Sequence, residues 1–353
     1  MTTTNATPIV VYGANGYTGR LVAESLVARG LRPVLAGRNA DAVAAVGADL
    51  GCPSVAVAID DAEGLRGLLT PAMAVLHCAG PFTRTSAAMV QACLDSSTHY
   101  IDITGEPPVF EACHARDAEA RAKGVMLLPG GGFDVVPTDC VSVMLKQRLP
   151  EATHLTLAFA SSGGASRGTM RTSSQFLADP TLVRRDGQLT GRTDTAGIEI
   201  DFGDGPRVVS PTTWGDVVTA FYSTGIPNIE VYMVLPPQAK ALLRLPRLVR
   251  RALASPLGRG LVERKLRAAP AGPTATQRAT GQALVYGCAT APGGRTAEIR
   301  LRTAEAYRLT AESMAEIGQR SLRGAAPVGY QTPATAYGAE FVMSLDGSEM
   351  IGG

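Results

Sequence analysis

Apolar residues in the first 140 positions come in short bursts separated by amphipathic stretches. Ile9-Val10-Val11-Tyr12 is a β-branched and aromatic run, as expected of a strand buried on both faces. It ends in Gly13-Ala14-Asn15-Gly16-Tyr17-Thr18-Gly19. Leu21, Val22 and Leu26 then predict an amphipathic helix, with Gly30 as its stop. Residues 33–36 predict a second strand ending at Gly37-Arg38-Asn39, where Asn39 can cap the next helix. Residues 54–59, 74–78, 100–103 and 125–128 predict four more strands. Strands that alternate with helices imply a doubly wound α/β fold, a parallel sheet with helices on both faces. Ligands of such sheets bind at the carboxyl ends of strands. Those ends carry Gly13–Gly19, Arg38, Asp60, Ala79–Phe82, Thr104–Glu106 and Pro129–Asp134.

From about residue 150 the pattern changes. Leu155, Leu157 and Phe159 alternate along residues 154–160, the signature of a half-buried strand. Residues 198–202, 207–210, 229–234, 283–289 and 298–302 also read as strands, which together predict a second, α+β unit on a mostly antiparallel sheet. Residues 163–169 form a flexible loop entering a helix, and residues 304–322 read as a final helix. The expected organisation is a Rossmann domain over 1–148, a substrate and dimerisation domain over 149–325, and a C-terminal segment over 326–353.

Composition narrows the classes. With 33 basic and 31 acidic residues the net charge is +2, so nothing global points to nucleic acid. The six cysteines form no C-x-x-C pair and the four histidines are scattered, so no metal site is expected. The polar start MTTTNATP carries no leader-like apolar core, and no run of about 18 apolar residues occurs; a cytoplasmic location is the expectation. Residues 236–270 stand out, with nine Lys or Arg, one acid (Glu263) and recurring leucines. Such a stretch is a solvated surface helix pair, or a face for an anionic membrane or an acidic carrier domain.

The glycine loop has the clearest chemistry. Gly13 permits a tight turn, Gly16 lets backbone approach a pyrophosphate, and Gly19 lets helix pack on strand. The phosphates then meet unpaired N–H groups at a helix start. The second strand ends in Arg38 rather than an acid, which favours a 2′-phosphate and therefore NADP. Gly80-Pro81-Phe82 would wall the nicotinamide half. Asp102, Glu106 and Asp134 are acids at adjoining strand ends, able to tune a proton donor or bind an amine, or equally to cap helices.

Taken together, GANGYTG, AGRN, Ala79-Gly80-Pro81-Phe82, residues 99–106, Gly132-Phe133-Asp134, Gly168-Thr169-Met170, residues 223–228 and residues 329–334 resemble the saccharopine dehydrogenase-like oxidoreductases. The branch most resembled includes the trans-acting enoyl reductases. The resemblance implies that NADP is held by Gly13, Asn15, Gly16, Tyr17, Thr18, Gly19, Arg38, Asn39, Asp60, Ala79, Gly80, Pro81, Phe82, Gly105, Glu106 and Phe133. It implies a tail that packs back on the Rossmann domain. Arg167, Thr169 and Arg171 are the expected substrate contacts, and Tyr222 and Asp134 the candidate catalytic groups. The expected activity is NADPH-dependent reduction of a C=C or C=N bond in an acyl or other secondary-metabolite substrate, by a homodimer. A saccharopine-type amino-acid dehydrogenase and a non-catalytic NADP-binding protein that docks on lipid or a partner stand as alternatives.

Overall fold

A computed structural model describes residues 8–170, 179–192, 194–235 and 270–352. Arg171, Phe176 and nearly all of the basic stretch 236–270 lie outside the described residues.

The first six strands are β1 (Ile9–Tyr12), β2 (Val34–Gly37), β3 (Ser54–Ala56), β4 (Ala74–His77), β5 (His99–Asp102) and β6 (Met126–Leu128). Between and after them run α1 (Tyr17–Ala28), α2 (Ala40–Leu50), α3 (Ala62–Leu69), α4 (Phe82–Ser96), α5 (Pro107–His114), α6 (Asp117–Lys123) and α7 (Val136–Arg148). The strands pair in parallel in the order β6-β5-β4-β1-β2-β3. Period-2 alternation explains why the runs are apolar throughout. Ile9 and Val11 enter one core, with Val22 and Leu26 of α1, while Val10 and Tyr12 enter another, with Leu65 of α3 and Met89 of α4.

The second half contains β7 (His154–Ser161), β8 (Thr181–Arg185), β9 (Gln188–Arg192), β10 (Ile198–Asp201), β11 (Pro206–Pro211), α8 (Asp216–Thr224) and β12 (Asn228–Met233). It continues through α9 (Ala275–Thr280), β13 (Gln282–Thr290), β14 (Thr296–Ala304) and α10 (Ala306–Leu322) to β15 (Gly329–Tyr330), α11 (Pro333–Tyr337) and β16 (Glu349–Met350). Its sheet runs β10-β11-β12-β7-β13-β14-β16, with the β8–β9 hairpin attached to β12. All its pairs are antiparallel except β7 with β12. The hairpin was not expected from periodicity. It turns at Asp186-Gly187, both with positive φ (47° and 78°), the backbone an Asp-Gly turn supplies.

The two halves share a core. Leu155, Leu157, Val285 and Ile299 of the second sheet belong to the same buried cluster as Ile9, Leu76 and Ile101 of the first. Helix α7 joins them: a Cβ at Gly287 of β13 would come within 2.5 Å of Val141 and 2.7 Å of Leu145. The long helix α10 packs on α1 and β4, with Gly318 against Leu76 and Ile9. After it, β15 adds to the edge of the first sheet beside β6, and β16 pairs with β14 of the second.

Candidate active site

The strand order changes direction between β1 and β4, so the loops that follow these two strands flank one crevice. Their approach is close. Gly13 has φ +84° and donates its N–H to Ala36 O at 2.7 Å. A Cβ on Gly13 would stand 2.9 Å from the Ala79 backbone nitrogen. A Cβ on Gly19 would stand 2.2 Å from Gly13 O, so α1 reaches the loop only because both positions lack side chains. Gly16 is exposed, and a Cβ there would meet protein only at Gly13 O, 3.1 Å away. Helix α1 starts at Gly16 with no side-chain cap and no acid in its first turn. Its first hydrogen bond is Arg20 N to Gly16 O, so the Tyr17 and Thr18 amides have no intrahelical acceptor. The helix start is open to an anion, and the residues present fit a dinucleotide pyrophosphate.

Around the next strand ends, Asn15 reaches β2: a Cβ on Gly37 would lie 3.1 Å from Asn15 Oδ1. Arg38 is exposed and has no ion pair among the described residues. Its charge is felt by the buried Tyr12 hydroxyl, as is that of Asp60, which places both beside the β1 end. Asn39 Oδ1 accepts from Ala42 N at 2.9 Å, the expected cap of α2. Helix α3 is capped by Asp61, which accepts from Gly64 N at 2.9 Å, so the exposed Asp60 beside it is not the cap.

The three acids separate. Asp102 is fully buried and accepts from Tyr100 Oη, Thr104 N and Gly130 N; burial pushes its pKa up to about 6. Glu106, expected at the cofactor, is 1% exposed and accepts from Phe82 N and Thr83 N, both at 2.8 Å. Its carboxylate therefore caps α4, because the first amides of a helix, here the buried Phe82 N–H and the Thr83 N–H, need an acceptor. Asp134 is partly exposed and has no hydrogen-bond partner among the described residues. It lies against Gly105, where a Cβ would come within 3.0 Å of Oδ2. Burial, and then the Glu106 charge, push its pKa up to about 7.

Tyr222 is placed elsewhere. Its hydroxyl donates to Glu111 Oε2 at 2.6 Å, its ring stacks on His114 at 3.8 Å, and burial raises its pKa to about 12. Glu111 also accepts from the buried Arg184 at 3.1 Å. This constellation ties α5 to α8 and to the hairpin, and it commits the Tyr222 hydroxyl proton to Glu111. Phe133 departs from its expected place too. Its ring is 6% exposed and meets Phe159 edge-on at 6.0 Å in the shared core, although its N–H, bonded to Thr310 Oγ1 at 2.9 Å, stays at the strand end. Phe82 is likewise buried, edge-on to His77 at 5.4 Å.

The second half supplies the opposite wall. Tyr307, in the first turn of α10, stands edge-on to Tyr17 with centroids 5.2 Å apart. Its hydroxyl accepts from Ser166 N at 2.6 Å and pairs with Thr169 Oγ1 at 2.9 Å. Arg167 N donates to Ala271 O at 3.1 Å. The loop that holds Arg167 and Thr169 therefore does reach the glycine loop, through a tyrosine that the sequence pattern did not single out.

Comparison with known proteins agrees with this geometry. Residues 9–128 match the family model described as the saccharopine dehydrogenase NADP binding domain. The matched residues span β1 to β6. The chain is similar to a mouse saccharopine dehydrogenase-like oxidoreductase, 34% identical over 151 residues, covering 37% of this chain and 35% of that protein. It is also similar to a trans-acting enoyl reductase of Mycobacterium ulcerans, 30% identical over 220 residues, covering 56% of this chain and 52% of that protein. The chain thus spans about a third to a half of the length of these relatives. In fold it is similar to the apo saccharopine dehydrogenase (L-Glu forming) of Saccharomyces cerevisiae, with TM-score 0.65 and 10% identity over 98% of this chain and 99% of that one.

Within the NADP-binding domain, the glycine loop, Asn15, Arg38, Asp60 and Ala79–Pro81 meet around one crevice. Glu106 holds the Phe82 and Thr83 amides behind the loop over residues 79–81, and the Phe133 ring is buried in the shared core. Among the described residues no helix is long and apolar enough to cross a membrane, and none of their His, Cys, Asp and Glu side chains group as a metal site.

Proposed function

We propose that this chain is an NADPH-dependent reductase of a C=C or C=N bond in an acyl-type substrate, with Asp134 as the proton donor. The observation that carries the reading is the setting of Asp134. Among the described residues it is an acid without a hydrogen-bond partner, its pKa raised to about 7, on the strand end that adjoins the cofactor loops. Its neighbour Phe133 leads into an apolar series, with Phe159 at 6.0 Å and the partly exposed Trp214 a further 4.6 Å on. An apolar wall beside one polar donor suits an acyl group better than a dicarboxylate, whose charges need convergent cations.

Bound NADPH would supply the hydride. The protein's part is orientation, exclusion of water and the proton. The open start of α1 and Arg38 would hold the two phosphate regions, while Ala79–Pro81 would set the depth of the nicotinamide end. Asp134 would then be protonated in a sizeable fraction of molecules near neutral pH, and proton transfer by a placed acid is worth roughly 10²–10⁴ in rate. Acyl groups on a carrier domain are the partner class this reading favours.

The test is cofactor oxidation, followed optically, with 2-enoyl thioesters and, separately, with imines formed from a keto acid and an amine. Turnover of the thioester supports the proposal. Turnover of the amino-acid imine alone makes the saccharopine-type alternative correct.

A further inference from the structure

We propose that the second half of the chain supplies the cation that holds the cofactor's diphosphate: Arg278, carried on α9 against the glycine loop. The inference rests on the cofactor reading above and adds a binding residue that no motif in the first half contains.

The argument begins with what the glycine loop lacks. A dinucleotide diphosphate brings two negative charges to the start of α1. The loop offers backbone N–H groups and a helix dipole, which favour an anion but carry no net charge. The cation of the first turn, Arg20, is exposed and already engaged, bonding Glu24 at 2.8 Å and also Asp49. Arg38 stands at the end of β2, where the 2′-phosphate is expected.

The second half fills this gap. Residues 271–273 lie over the ring of Tyr17: a Cβ on Gly272 would come within 2.6 Å of it. Tyr17 Oη donates to Pro273 O at 2.6 Å. Arg278 Nη1 donates to Tyr17 Oη at 2.9 Å and to Pro273 O at 2.8 Å, and its guanidinium carbon sits 5.6 Å from the Tyr17 ring centroid. Tyr17 is the first residue of α1, the turn whose amides lack acceptors. One guanidinium nitrogen is therefore anchored beside the phosphate-binding turn. The other two have no hydrogen-bond partner among the described residues. A fork with one prong fixed and two free suits a phosphate oxygen pair.

An acid of the second half, Glu305, has its charge felt by Tyr17 and feels Arg278 in turn. It does not neutralise the guanidinium by contact, because its Oε2 caps α10 through Tyr307 N and Arg308 N, and no ion pair links it to Arg278 among the described residues. Cofactor binding and the seating of residues 271–278 on the first domain are then one event.

The experiment is calorimetric titration of the full chain with NADPH, NADH and adenosine 2′-monophosphate, which lacks the diphosphate, at low and high salt. Arg278→Ala should weaken both dinucleotides by about tenfold, with the larger loss at low salt. The NADPH-to-NADH ratio and the affinity for adenosine 2′-monophosphate should stay unchanged. Arg278→Lys should recover part of the loss. Arg20→Ala, which removes an arginine near the loop that is already paired, should leave dinucleotide affinity as it was. Unchanged dinucleotide binding in Arg278→Ala would overturn the proposal. So would an equal loss for adenosine 2′-monophosphate, which marks a structural role, or an equal loss in Arg20→Ala, which marks a diffuse charge effect. A wild-type chain that binds neither dinucleotide overturns the cofactor reading beneath it, a result distinct from the others.

Discussion

Two helices begin side by side at the crevice, and they begin differently. Helix α4 has its first amides satisfied by the protein itself, through the two oxygens of Glu106. Helix α1 has a glycine at its start, no acid in its first turn and no side-chain cap. Helices α2 and α3 follow the pattern of α4, with Asn39 and Asp61 as caps. A carboxylate at a helix start is an internal substitute for an anionic ligand. Of the helices that follow β1 to β4, α1 alone keeps that place open. The same contrast divides the acids. Glu106 is committed to two N–H groups, whereas Asp134 has none and keeps a proton near neutrality.

The largest effect should come from closing the open start. Gly16→Val places a branched side chain in the space a pyrophosphate needs, and NADPH binding should fall below detection in calorimetry while the circular dichroism spectrum is retained. Normal affinity in this variant would remove the distinction between the two helices.

Asp134→Asn tests the second half of the contrast. Turnover should fall by about a hundredfold or more with little change in NADPH affinity. In the wild type, the rate should decline as pH rises through about 7, because the proton-donating form is lost there. The same protonation contributes to stability: since the folded-state pKa is raised from 3.8 to about 7, that contribution is fully present below pH 3.8 and is lost as pH climbs through 7. A flat rate profile between pH 6 and 8 would assign the proton to another group.

Arg38→Ala should cut the preference for NADPH over NADH by about tenfold, the scale of one charge-assisted contact at an exposed site. Equal affinities for the two cofactors in the wild type would show that Arg38 reads nothing. The smallest change is expected from Glu106→Ala, which gives α4 an open start as well. Two amides, one of them buried, lose their acceptor, at a cost of about 1–3 kcal/mol. The melting temperature should drop by several degrees, with dinucleotide affinity lowered only as far as the loop over residues 79–82 loosens.

Much of this was legible in the sequence, for physical reasons that differ by region. The parallel sheet announced itself because strands buried on both faces are apolar at every position, as in Ile9–Tyr12. Gly13, Gly16 and Gly19 were readable because each meets a separate steric demand. The β8–β9 hairpin was missed although Asp186-Gly187 is a turn signal, since Thr181–Arg185 alternates weakly and carries two arginines. Tyr222 was favoured by its neighbours in sequence, yet its hydroxyl proton is determined by Glu111, 111 positions away. Tyr307 and Arg278 lie in ordinary helical turns, and only the folding of the second half against Tyr17 distinguishes them. Strands of two residues, such as Gly329–Tyr330, show no period at all.

The return of β15 to the first sheet sets an order of events during synthesis. Residues 9–128 are made before their later partners: Leu76 and Ile9 lack the α10 part of their packing until that helix is made, and β6 keeps an open edge until residues 329–330 follow. The nascent nucleotide-binding half therefore waits, with apolar surface and a strand edge exposed, until residues 306–330 have been made. Such intermediates are the species that chaperones retain and that aggregate when expression outpaces them. Slower elongation or lower temperature should raise the soluble yield of this chain, and shortening it before residue 330 should lower that yield more than the loss of so few contacts would suggest.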